Sequence, residues 1–98
     1  MKTVSIYGKE YSVRYGLRSL FCFEQIAGHP FTGRTLEETY MLFHASLMAC
    51  NESYTLTFDE LITACDEDPM LFETFMQMVG EASKRAGQLK KKAIQAKR

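Results

Sequence analysis

Residues 4–28 limit this chain more than any others, because two short alternating segments lead without a linker into an apolar segment of helical spacing. A two-residue turn at Gly8-Lys9 pairs Ile6 with Tyr11 and Val4 with Val13. This collects the apolar side chains on one face and leaves Thr3, Ser5, Ser12 and Arg14 to water. A two-stranded ribbon is marginal alone in water, so its apolar face needs a cover, and the nearest is the helix that starts after Gly16. On that helix Leu17, Leu20, Phe21, Phe23, Ile26 and Ala27 form an apolar surface wider than one stripe, and Gly28 followed by His29-Pro30 stops it. Phe21 is expected in the core, so Phe21→Asp is expected to unfold the domain.

Beyond a turn-rich connector in which Phe31 reads as a core plug, Thr35-Leu36-Glu37-Glu38 has the form of a capping box. The Thr35 hydroxyl accepts from the Glu38 amide, and the Glu38 carboxylate reaches back to the Thr35 amide. On the helix that follows, Leu36, Tyr40, Phe43, Leu47 and Cys50 share a face with His44 beside them, Met41 and Met48 fall outside it, and Leu42 points nearly opposite. Such a helix is either sandwiched in the domain or used for contact with another chain, and a body of this length has little room for sandwiching. After a polar break at 51–55, Thr57-Phe58-Asp59-Glu60 repeats the capping-box pattern, with Phe58, Leu61, Ile62 and Cys65 inward. Asp68-Pro69 opens a last helix whose stripe is Leu71, Phe72, Phe75, Met76, Val79 and Ala82, with Met78 at its edge. Gly80 and Gly87 each weaken that helix by about 1 kcal/mol relative to Ala, and order is expected to decay after about Gly87. The expected fold is α+β: a two-stranded antiparallel hairpin packed on a bundle of about four helices. Residues 1–83 form one domain, and 84–98 a basic helical extension or disordered tail.

At 98 residues the chain can bury roughly 60–65% of its unfolded surface without metals or disulfides. Its formal charge of zero hides a segregation: residues 1–83 hold five basic and twelve acidic groups, and residues 84–98 hold seven basic groups and no acid. The basic segment, with Lys84, Arg85, Lys90, Lys91 and Lys92, can meet an anionic partner, dock on the acidic body of the same or a neighbouring copy, or serve solubility. It has no aromatic to stack on a base, and the body would repel a duplex, so nucleic-acid binding is a minority reading. Neither a signal segment nor an apolar run long enough to span a bilayer is present, which places the chain in a cytoplasm.

No catalytic or cofactor apparatus is visible. Cys22, Cys50 and Cys65 are odd in number and suit buried reduced thiols. His29 and His44 lack metal-ligand spacing, no phosphate-binding glycine loop occurs, and Asp66-Glu67-Asp68 with Glu73 lacks the alternation of a calcium loop. What remains is apolar excess on helices at Met41, Leu42, Met48, Phe72, Met76 and Met78, the adaptable surface that methionine suits. These six are the candidate partner-binding residues.

The opening MKTVSIYGKEYSVRYGLRSLFCFEQIAG, the segment TLEETYMLFHASLMAC and the helix pair LTFDELITACDEDPMLFETFMQMV together resemble, in pattern and order over roughly residues 1–82, the tail assembly chaperones of siphovirus-like phages. The resemblance implies a non-enzymatic protein of the bacterial host's cytoplasm. It would coat the tape-measure protein, a long and largely helical chain, while tail tube subunits are recruited. It also implies self-association and, in many members, a frameshifted longer form. The alternative is a small phage-encoded adaptor or regulatory module whose basic tail binds nucleic acid or an acidic protein.

Overall fold

In a computed structural model describing residues 2–81, β1 (Lys2–Ile6) pairs antiparallel with β2 (Lys9–Val13), and four helices follow. The fold is α+β, as the sequence leads one to expect. The hairpin turns one residue earlier than expected: Ile6 faces Lys9, Val4 faces Tyr11 and Lys2 faces Val13. Tyr7 and Gly8, at φ 53° and 77°, are the central turn residues. A tight hairpin whose twist matches its strands needs positive φ at both central positions, and that requirement outweighs the pull of glycine toward the first. The register differs from expectation by two residues, which preserves the faces, and Val4, Ile6, Tyr11 and Val13 are all buried.

α1 (Leu17–Ala27) follows directly. Its entry is fixed by a relay in which the Gly16 N–H donates to Ser19 Oγ at 3.3 Å and the Ser19 hydroxyl donates to the Arg14 carbonyl at 2.8 Å. Its exit is a left-handed Gly28 at φ 80°, whose N–H donates to the Glu24 carbonyl at 2.8 Å. Phe23 and Ser19 define the buried face. Two residues along a helix is a rotation of about 200°, so burying Phe23 turns Phe21 outward, and Phe21 is 56% exposed instead of lying in the core.

α2 (Leu36–Cys50) packs against α1, β2 and α3 (Phe58–Glu67), and residues 42–47 are buried without interruption. The helix is therefore sandwiched, contrary to the expectation drawn from the small size of the body. Leu42, at 0% exposure, belongs to the core, because neighbours cover the middle turns of α2 from more than one side. The polar members of this stretch are satisfied: the Ser46 hydroxyl donates to the Leu42 carbonyl at 2.8 Å, and His44 Nδ1 lies 2.8 Å from the Tyr54 hydroxyl.

Beyond α2, the Asn51 side chain takes the place of a third strand. Its Oδ1 accepts from the Ser12 N–H at 3.0 Å, and its Nδ2 donates to the Ser12 carbonyl at 2.7 Å and the Leu47 carbonyl at 2.9 Å. One amide thus ties the edge of β2 to the end of α2.

The two capping boxes divide. Thr57 and Glu60 exchange both bonds, at 3.2 and 3.0 Å. Thr35 accepts from the Glu38 N–H at 3.1 Å, but the Glu38 carboxylate turns to the connector instead, accepting from the Thr32 N–H, the Thr32 hydroxyl at 2.9 Å and the Gly33 N–H at 2.7 Å. Three donors in the connector outcompete one at the cap. Phe31 packs edge-on to Phe23, with ring centroids 5.3 Å apart.

α4, residues 70–81 among those described, is capped by Asp68 Oδ1 accepting from the Met70 N–H at 3.2 Å. Tyr40 stacks on Phe72 at 3.8 Å and Phe43 on Phe75 at 4.9 Å, so α4 runs beside α2 in the same direction. Leu71 and Phe75 complete the core. Ala82, the expected loss of order after Gly87 and the basic segment 84–98 lie outside the described residues.

These positions separate two variants sharply. In urea unfolding, Phe23→Ala is expected to lower stability by about 3–5 kcal/mol, while Phe21→Asp stays within about 0.5 kcal/mol of the parent. Equal loss in both would contradict the helical phase of α1.

Candidate partner-docking surface

Of the six candidates, Leu42 is enclosed, whereas Met48 and Met76 are 42% and 37% exposed and Met41, Phe72 and Met78 are half-buried. Met41 faces the α1 side, lining a small cavity with Phe23, Ala27 and His29. Phe72 lies against Tyr40, which is half-buried as well. One turn before Tyr40 on α2 is Leu36, 70% exposed, and one turn after Phe72 on α4 is Met76. Leu36, Tyr40, Phe72 and Met76 therefore make a diagonal apolar strip across the α2 and α4 surfaces, with Phe43 buried behind Phe72 at a centroid distance of 6.3 Å.

Leu36 and Tyr40 follow the core stripe of α2 in the sequence. They come to the surface because they lie in its first turns, before the buried stretch at 42–47. Leu17 and Phe21 form a second exposed apolar pair on the outer side of α1, spaced one turn apart. Leu17 borders a half-open cleft of about 600 Å³ lined also by Arg14, Arg18, Ser19, Ala49 and Cys50.

The electrostatics around the strip are negative. Asp68 caps α4 one turn before Phe72, which sets the C-terminal end of α3 close to the strip, and burial, then Cys65 and Asp66, raise the Tyr40 hydroxyl above its ordinary range. Burial, then Asp66 and Asp68, pushes the Cys65 thiol up to about 11, and burial also raises Cys22. Both are protonated near neutral pH and so are poor nucleophiles. Among the described residues, no group of three or more His, Cys, Asp or Glu is placed to hold a metal ion. No helix of the described residues is long and apolar enough to cross a membrane. The chemistry this surface offers is apolar contact edged by carboxylates.

His44 packs behind it. Burial lowers its pKa below the ordinary 6.5 and raises that of Tyr54, so the ring is neutral and Nδ1 shares a hydrogen bond with the neutral Tyr54 hydroxyl. The unfolded chain binds this proton more tightly than the folded one, so the His44 contribution is present above about pH 6.5 and is lost as pH falls through the lower folded value. Urea midpoints measured between about pH 7 and pH 5 should fall in the parent and fall less in His44→Gln. Parallel lines for the two would contradict the assignment.

Compared with protein-family models, curated proteins and solved structures, the chain matches none.

Proposed function

We propose that the chain is a non-enzymatic phage tail assembly chaperone working in the cytoplasm of a bacterial host. It binds the tape-measure protein, holds that long helical chain soluble, helps recruit tail tube subunits and associates with copies of itself along the partner. The observation that carries this reading is the strip of Leu36, Tyr40, Phe72 and Met76, apolar surface left over after the core is filled. A helix laid along it would use its apolar positions as anchors, the mode by which grooves accept amphipathic helices. Full burial of a large apolar side chain contributes about 1.5–3 kcal/mol, and these four are already partly covered, so each copy binds modestly. Many such contacts solubilise a long chain and still let the coat be displaced. Methionine at the end of the strip adapts to differing partner side chains.

Co-expression of the tagged chain with the tape-measure protein of the same genome tests this. The parent should keep the long protein in the soluble fraction and co-purify with it. Leu36→Asp and Met76→Asp, both at exposed positions, should keep the parent's melting behaviour and lose the partner at least tenfold. Retention by the variants, or precipitation of the long protein beside the parent, would overturn the reading.

A further inference from the structure

From residue 35 to residue 83 the sequence holds ten acidic residues and no Lys or Arg, and three of them, Asp66, Glu67 and Asp68, adjoin at the C-terminal end of α3. Asp66 and Glu67 sit in the last turn of that helix, where its dipole is already negative, and no basic residue shares the turn. Asp68 is accounted for as the cap of α4; the other two carboxylates gain nothing from their helix. Asp68 caps α4 one turn before Phe72, and Phe72 stacks on Tyr40, so the α3 end that carries Asp66 and Glu67 stands beside one end of the strip. An apolar strip and an uncompensated negative helix end therefore adjoin.

We propose that this combined surface is the docking site for the chain's own basic segment, residues 84–98, bound within the same molecule. The segment carries seven cations and no acid, with Leu89 and Ile94 as its large apolar residues. Lys90, Lys91 and Lys92 meet the α3 end, and Leu89 or Ile94 lies on the strip beside Phe72 and Met76. The reach suffices. From Asp68 back along α4 to Glu81 is about 20 Å, and the nine residues from Ala82 to Lys90 span up to about 30 Å when extended. Gly87 supplies a position where the chain can reverse. A tether this short keeps the segment at millimolar effective concentration, well above that of a second copy in dilute solution. Docked there, residues 84–98 share the strip with the helical partner proposed above. The docking itself holds whatever that partner is.

Amide NMR spectra of the full chain and of the full-length Lys90→Glu/Lys91→Glu/Lys92→Glu variant test the inference. Shift differences are expected at Tyr40, at residues 66–68 and at residues 72–76, and they should vanish at about 1 M salt, where charges are screened over about 3 Å. On tenfold dilution the parent spectrum should stay unchanged. Differences confined to the neighbours of the three substitutions would overturn the proposal. Shifts that fade on dilution would overturn it too, by assigning the contact to a second copy.

Discussion

The complete enclosure of the middle of α2 is the constraint on which the rest of the molecule depends. Six successive residues of a helix are buried only when cover arrives from all round, and here it comes from α1, the hairpin, α3 and α4. The helix is 15 residues long, about 22 Å, and only its centre is enclosed. Leu36 at one end and Met48 near the other therefore emerge into solvent. The exposed apolar surface is thus a geometric consequence of a long central helix in a small body. Surface left over in this way differs from a patch of solitary exposed leucines, because Tyr40 and Phe72 join α2 to α4 in one continuous stack.

Two polar arrangements make that enclosure tolerable. His44 and Ser46 would each be costly in the core without a partner, and both find one locally, in Tyr54 and in the carbonyl one turn back. Asn51 serves the sheet: with only two strands, β2 leaves the Ser12 backbone groups facing away from β1, and the Asn51 amide answers both in strand-like fashion. The hairpin is held to the helical layer by this amide as well as by the apolar face it buries. Tyr11 against Tyr54, edge to face at 5.4 Å, closes the same seam from the apolar side.

How much of this was legible in the sequence depended on whether the signal was local. The α1 stop at Gly28, the Thr57 box and the Asp68 cap each rest on a few adjacent residues, and each forms as the spacing implies. The hairpin register turned on whether Gly8 stood first or second in the turn, a choice made by strand twist, to which the alternation of side chains is blind. Phe21 and Phe23 are equally apolar, and only the direction of the neighbouring helix chooses between them. The same blindness hid the surface: Leu42, off the stripe, became core because α2 was covered from more than one side, while on the stripe Leu36 became surface and Tyr40 only half-buried because the cover ended short. Glu38 shows the limit at closest range, since a capping motif competes with whatever donors the preceding loop presents.

Charge places a further condition on how copies of this chain can meet. Residues 1–83 carry seven more acidic than basic groups, so two such bodies repel, and apolar strips of four partly covered side chains are a small counterweight. Association among copies then needs cations from elsewhere, either from a partner or from residues 84–98 of a neighbour. If those residues occupy the strip of their own molecule, the free chain is held apart from its copies and from stray apolar surfaces by one contact.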